Sequence, residues 1–178
     1  MEVTIICAGF GGQGVLTAGM LIASIANDEG KKITWFPSYG AEMRGGTANC
    51  TVKVSDEPIG SPMASGLDIA FTMNAQAIDK FEVSIRPGGY LFVNSTIVDP
   101  DRTYRDDIHV VKVAASETAA QLQNAKGANL VMLGAVATTT GLFGKDELES
   151  GMCRYFESKG KGKYNEKNLE ALRAGYID

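Results

Sequence analysis

The sequence predicts an α/β protein, a three-layer open sheet that is mostly parallel and Rossmann-like, with an antiparallel strand insertion. Three observations predict it. Short β-branched runs alternate with helical patterns along most of the chain. The first run breaks into the glycines of "GFGGQG" just where a helical pattern begins. The second and third strand-like runs are separated by only about ten residues with no helical pattern between them. A parallel crossover needs a dozen or more residues, so the third run is expected to lie antiparallel to the second.

The elements follow in order. "VTIICAGF" is a continuous β-branched run of the kind a buried parallel strand has. "GQGVLTAGMLIASIANDEG" places Val15, Leu16, Met20, Leu21, Ile25 and Ala26 at amphipathic helical spacing, stopped by Gly30. "KKITWF" is a second strand, and "TANCTVKV", residues 47–54, alternates as a half-buried strand would. After the turn chemistry of "DEPIGSP" come a strand, "LDIAFTM", a helix, "NAQAIDKFEVSI", a turn, "RPGG", and two further strands, "YLFVN" and "HVVKV". "ASETAAQLQNA" and "NLVMLGAVATTTGLF" read as helices, the second apolar nearly all round and therefore bound for the core or a subunit interface, with the core favoured. Two last helices, about 146–158 and 166–174, flank the lysine-rich "KGKGK", read as a solvated linker with a weak anion contact as the alternative.

With 178 residues, the chain is expected to form a single domain, 1–178. A hydrophobic fraction of 44% and a charged fraction of 21% place it among soluble globular proteins. No run approaches the roughly eighteen apolar residues of a membrane span. The start "MEVTIICAGFGG" lacks the basic residues of a secretory signal, so a cytoplasmic location is expected. A net charge of −4 argues against nucleic acid as a partner. Cys7, Cys50 and Cys153 stand far apart with no Cys-x-x-Cys pair, which excludes the usual cysteine frameworks for zinc or a four-iron cluster. Cys7 and Cys50 are read as buried thiols. The lone His109 is an unpromising basis for a metal site or a nucleophile system.

In an open α/β sheet, ligands bind beyond the carboxyl ends of the strands. The residues expected there are the turn of Gly9, Gly11, Gly12 and Gly14, then Pro37 with Ser38, Asn74, and Asn94 with Ser95. All are small or polar, which suits a ligand groove or a wet interface. "GFGGQG" meets the dinucleotide fingerprint, and its strand-before, helix-after context suits an anion beside backbone N–H groups. The expected ribose-binding acid is missing, because the second strand ends "TWFPSYG". Three readings stay open at this point: a phosphate-bearing ligand, glycines that only permit tight helix packing, and a nicotinamide or flavin cofactor.

"GGQGVLTAG" followed by "WFPSYGAEMRGGTANCTVKVSDEPIGSP", with "RPGGYLFVNS", "NLVMLGA" and "NEKNLEAL" further on, resembles the gamma subunit of 2-oxoacid:ferredoxin oxidoreductases across nearly the whole chain. "EMRGGTANC" is more similar to the 2-oxoglutarate and branched-chain (ketoisovalerate) members than to the pyruvate members; the small subunit of indolepyruvate:ferredoxin oxidoreductase is the sister alternative, and a stand-alone nucleotide- or coenzyme A-binding module is the alternative outside the family. The resemblance implies oxidative decarboxylation of a 2-oxoacid to acyl-CoA, carbon dioxide and reduced ferredoxin by a complex. Thiamine diphosphate, Mg²⁺ and iron–sulfur clusters would belong to other chains: alpha and beta subunits, and a ferredoxin-like delta subunit where one is present. The present chain would supply no catalytic residue, bind no cofactor by itself and be inactive alone. Its loop of Ser38, Tyr39, Glu42, Met43, Arg44, Gly45 and Gly46 would contact partner subunits and help cover the entry of coenzyme A. In that role Tyr39 and Met43 would be apolar anchors and Arg44 a planar donor to a carboxylate or phosphate. In the alternative, Glu42 and Arg44 only hold the loop's own shape. The turn of Gly9, Gly11, Gly12 and Gly14, together with Arg44, would receive the coenzyme A pyrophosphate.

Overall fold

The structure, a computed structural model, describes residues 1–39 and 46–178, with Tyr39 described by its backbone alone. Six strands form one sheet: β1 (Glu2–Phe10), β2 (Lys32–Tyr39), β3 (Thr47–Ser55), β4 (Leu67–Thr72), β5 (Ile85–Asn94) and β6 (His109–Val113). Their order is β2-β3-β1-β4-β5-β6. Neighbours β1, β4, β5 and β6 are parallel, and β3 alone is reversed, pairing antiparallel with β1 on one side and β2 on the other. The antiparallel insertion expected from the short connection is therefore present. It lies between the first two strands rather than at the edge. That interior position explains why β3 is buried along most of its length instead of half-buried, with even Asn49 and Lys53 covered.

The two faces of the sheet are covered unequally. One carries α1 (Val15–Asp28), α3 (Ala115–Gln121), α4 (Ala128–Thr140), α5 (Lys145–Ser158) and α6 (Asn165–Ala174), which close over the larger core. The other carries α2 (Ala75–Phe81) and parts of segment 95–108, over a smaller core built on Ile6, Ala70, Leu91 and Val93.

Helix α4 is apolar all round, and its residues from Ala128 to Ala137 are all buried, as a helix without a polar face requires. It ends at Gly141, where φ is +66°. Helix α1 turns Val15, Ala18, Leu21, Ile22 and Ile25 inward, while Leu16 and Met20, expected in its apolar stripe, are only half-buried at the flank. The reason is close packing. Gly19 lies against β3 with room for no side chain, since a Cβ there would stand 2.3 Å from Cys50 Sγ. The helix thus approaches β3 most tightly at Gly19.

The "RPGG" turn is also corrected. It lies inside β5, as a bulge. Leu67 pairs with Ile85 and Ile69 with Tyr90, so two steps along β4 match five along β5. Gly88, at φ +79°, absorbs the bend, and its N–H donates to Asp107 O at 2.7 Å. An extra segment of this kind does not break a parallel ladder when its own backbone groups find partners outside it.

Candidate functional site

The carboxyl ends of β1, β2, β4 and β5 meet at one edge of the sheet, with the start of the reversed β3. Phe10 is paired with Thr47 and Ser38 with Asn49, so the glycine turn and both ends of the 38–46 loop lie side by side. Gly11 N–H donates to Gly46 O at 3.0 Å, tying the turn to the end of that loop. Ser38 is exposed at the tip of β2. Glu42, Met43, Arg44 and Gly45 lie outside the described residues, as does the side chain of Tyr39.

Sequence reasoning missed the residue that shapes this edge, Gln13. Its Oε1 accepts from Phe10 N–H at 2.7 Å and from Asn74 Nδ2 at 3.2 Å, and its Nε2 donates to Met73 O at 3.2 Å. Asn74 Oδ1 in turn accepts from Ala77 N–H and starts α2, the side-chain capping that helix N-termini require. Asn94 Nδ2 donates to Met73 O at 3.4 Å and to Ser116 Oγ at 2.9 Å. Gln13, Asn74 and Asn94 thus form a bracing network across the ends of β1, β4 and β5. Asn74 and Asn94, expected to face a ligand groove, are 3% and 0% exposed and spend their amides on this network. Gln13 could have been suspected from its place inside a glycine turn, where a long amide can fold back on the strand end.

The four glycines divide by what surrounds them. A Cβ on Gly9 would lie 2.6 Å from Gln13 Oε1, so this position is kept open by the bracing amide. Gly14 has φ +75°, and a Cβ on it would meet Asn129 Nδ2 at 2.4 Å. That same amide donates to Gly14 O at 3.1 Å and joins the turn to α4. Gly12, at φ +93°, is exposed with open space where a side chain would stand. Beside it is a cleft of ≈ 330 Å³, lined by Phe10, Gly11, Gly12, Leu16, Thr17 and Ala48 among others. The first turn of α1 has no side-chain cap and no acidic residue, so its orphan N–H groups give this cleft a partial positive charge.

Beneath the turn, Cys7 and Cys50 face each other across β1 and β3, both fully buried. The Cys7 thiol is held well above its ordinary value by its hydrogen bond with Cys50 and by burial. Cys50 Sγ donates to Val15 O at 3.6 Å, so the pair packs under the start of α1. Among the described residues, no group of three or more His, Cys, Asp or Glu side chains stands together as metal ligands would. His109 packs against Tyr90 with ring centroids 5.0 Å apart and planes tilted by 31°. No helix among the described residues is long and apolar enough to cross a membrane.

Fold and site define a Rossmann-like α/β module with an open glycine turn at the carboxyl-end edge of its sheet. Comparison with known proteins places it further. A family model described as pyruvate ferredoxin/flavodoxin oxidoreductase matches residues 4–177, and the chain belongs to that family. It is 36% identical over 174 residues to the ketoisovalerate oxidoreductase subunit VorA of Methanothermobacter marburgensis, covering 98% of this chain and 36% of that one. It is 34% identical over 171 residues to the 2-oxoglutarate synthase subunit KorC of Methanocaldococcus jannaschii, covering 95% of this chain and 89% of that one. The chain thus spans about a third of the length of the VorA relatives and nearly all of KorC.

Among solved structures, it is similar to a keto/oxoacid ferredoxin oxidoreductase gamma subunit from Geobacter sulfurreducens. The TM-score is 0.82 and the identity 27%, covering 98% of this chain and 96% of that one. It also shares its fold with part of the 2-oxoglutarate:ferredoxin oxidoreductase of Magnetococcus marinus, solved with 2-oxoglutarate, coenzyme A and succinyl-CoA bound. There the TM-score is 0.87 and the identity 24%, covering 98% of this chain and 30% of that one.

Proposed function

We propose that this chain is the gamma component of a 2-oxoacid:ferredoxin oxidoreductase, acting on a branched-chain 2-oxoacid or 2-oxoglutarate. The complex would form acyl-CoA and carbon dioxide and pass electrons to ferredoxin. The observation that carries the reading is the family match over residues 4–177, and the VorA and KorC relatives support the two substrate classes. Thiamine diphosphate with Mg²⁺ and the iron–sulfur clusters belong, in this reading, to alpha, beta and delta partners. The present chain contributes a docking edge and a contact for coenzyme A.

The open turn at Gly12 supports that contact. A pyrophosphate is a doubly charged anion, and uncapped N–H groups at a helix start are suited to it. The loop of Ser38, Tyr39, Glu42, Met43, Arg44, Gly45 and Gly46 is proposed as the partner interface, with Arg44 reaching the same anion. The position of its ends supports this reading: Gly46 O accepts from Gly11 N–H in the glycine turn, and Ser38 is exposed at the tip of β2.

The test is reconstitution of the chain with its alpha and beta partners under anaerobic conditions. Coenzyme A-dependent reduction of a viologen dye is then measured with 2-oxoglutarate, branched-chain 2-oxoacids, pyruvate and indolepyruvate. One of the first two acids should be preferred, and the isolated chain should be inactive. Gly12→Asp should raise the KM for coenzyme A by about tenfold, the scale of a charge-assisted hydrogen bond lost to like-charge repulsion. Preference for indolepyruvate would overturn the substrate assignment. An unchanged KM in Gly12→Asp and in Arg44→Ala would overturn the coenzyme A contact.

A further inference from the structure

Cys7 and Cys50 are two buried nucleophiles that the proposed coenzyme A contact does not use. They are opposite residues of the antiparallel pair β1–β3, and both are 0% exposed. At the two ends of this ladder, Asp56 N–H donates to Met1 O and Gly11 N–H to Gly46 O, each group bonding to the residue across from it. Hydrogen-bonded and open pairs alternate along an antiparallel ladder. Counting inward from either end therefore makes Cys7 and Cys50 a hydrogen-bonded pair. Their Cα atoms then stand about 5.5 Å apart, at the usual span of a disulfide.

The surroundings of the two sulfurs differ. Cys50 Sγ lies under the first residue of α1, where it donates to Val15 O at 3.6 Å. The buried Trp35 Nε1–H makes no regular hydrogen bond and faces the same sulfur: a Cβ on Gly19 would stand 2.3 Å from Cys50 Sγ and 3.2 Å from Trp35 Nε1. An orphan buried donor gains a partner when that sulfur is a thiolate. Hydrogen bonds from the Cys7 thiol, the Trp35 indole and the Gly19 N–H lower the Cys50 pKa against the opposing effect of burial. Cys7 is held up by its bond to Cys50 and by burial. Cys153 is only half-buried, yet burial and the nearby Glu157 and Glu149 carboxylates raise its pKa. Val15, which covers Cys50, is itself a wall of the cleft beside the glycine turn, so one residue separates this sulfur from solvent.

We infer that Cys7 and Cys50 are a peroxide-reactive dithiol that closes to a reversible disulfide in the folded chain. This stands independently of the proposed role in a complex. The oxidant is hydrogen peroxide, small and uncharged enough to pass Val15 where a protein disulfide is not. The Cys50 thiolate attacks one peroxide oxygen, the O–O bond breaks, and the hydroxide released leaves as water with the proton that Cys50 gave up. The Cys7 thiol then attacks the sulfur of the Cys50 sulfenic acid. An S–S bond forms, the S–O bond breaks, and the hydroxyl leaves as water with the Cys7 proton. The two thiols together lose two electrons, and one peroxide becomes two waters.

Reversibility follows from the strand geometry. The Cβ atoms of opposite antiparallel residues stand about 4.5–5.5 Å apart, against about 3.5–4.5 Å in a relaxed disulfide. The bond is therefore strained, and strained disulfides are readily reduced. Oxidation also removes the proton that Cys50 gives to Val15 O, so the first turn of α1 loses a tie to β3.

The experiment adds a small excess of hydrogen peroxide to the anaerobically reduced chain, stops the reaction with catalase and counts thiols in denaturant. Free thiols should fall from three to one, and a peptide map should join Cys7 to Cys50 and leave Cys153 free. Trp35 is the single tryptophan, so its emission should fall on the same time course, with far-ultraviolet circular dichroism unchanged. Dithiothreitol should restore both signals. Cys7→Ala should stop at a Cys50 sulfenic acid, captured by dimedone, and Cys153→Ser should leave the crosslink intact. If Cys7→Ala fails to fold, the wild-type peptide map decides alone. Oxidation of Cys153 while Cys7 and Cys50 stay free would overturn the proposal, as would reaction of the pair only after the chain unfolds. Sulfinic acid on Cys50 without a crosslink would refute the resolving role of Cys7. Amide exchange over residues 15–19 should rise in the oxidised chain, and unchanged exchange there would refute the tie to α1.

Discussion

Replacing Gln13 by alanine tests whether the glycine turn is held from within. The wild-type amide makes three hydrogen bonds, to Phe10 N–H, Asn74 Nδ2 and Met73 O. At about 0.5–1.5 kcal/mol net each, they sum to roughly 1.5–4.5 kcal/mol. Gln13 is half exposed, so water reaches some of the freed groups. Met73 O also keeps Asn94, and Asn74 keeps Ala77 N–H. The expected loss is therefore about 2 kcal/mol, near the lower end of that range. For a chain of this size, this lowers Tm by about 4–8 °C.

Thermal and urea unfolding of the purified chain would measure the loss. Gln13→Glu separates the two sides of the amide. The carboxylate can still accept from Phe10 and Asn74 but cannot donate to Met73 O, so the variant should recover stability as it is protonated on acidification. A loss below about 0.5 kcal/mol in Gln13→Ala, the range of ordinary surface substitutions, would refute the bracing role.

Three further outcomes are expected. Gly14→Ala should cost about 2–3 kcal/mol, from left-handed backbone at φ +75° and displacement of Asn129, and Gly12→Ala only about 1–2 kcal/mol, because open space surrounds it; urea midpoints that fail to separate the two would refute the Asn129 contact. Gly134→Ala should destabilise by more than about 1 kcal/mol, despite alanine's better helix propensity, because its Cβ would lie 2.1 Å from Leu172 O and force α4 away from α6. The Glu149 carboxyl is held below its ordinary value by its hydrogen bond to Arg173 and by that from the Tyr176 hydroxyl. A depressed carboxyl stabilises the fold above its unfolded value near about 4.3 and loses that contribution as pH falls toward the folded value. Glu149→Gln should therefore flatten the fall in urea midpoint below about pH 4.5, and an unchanged slope would remove Glu149 from the account.

The sequence by itself determined the order of strands and helices and the reversed third strand, though not the bounds of α2 and β5, since the helix read over "NAQAIDKFEVSI" ends at Phe81 and β5 begins at Ile85. Each rests on a local cause: β-branched runs, amphipathic spacing, and a connection too short for a crossover. It marked α4 for burial, in the core or in a subunit interface, because it has no polar face, and the structure places it in the core. The family was legible too, in motifs spread over nearly the whole chain. Only the tertiary structure decided which groups at the carboxyl-end edge of the sheet are free. Asn74 and Asn94 sit at strand ends where ligands bind in folds of this class, yet their amides are taken by Gln13, Met73 and Ser116. Hydrogen bonds between residues sixty positions apart leave no periodic trace in the sequence. The cleft of ≈ 520 Å³ lined by Lys126, Lys161, Tyr164 and Lys167 was hidden in the same way, because only the folded chain brings "KGKGK" beside those residues around Gly14.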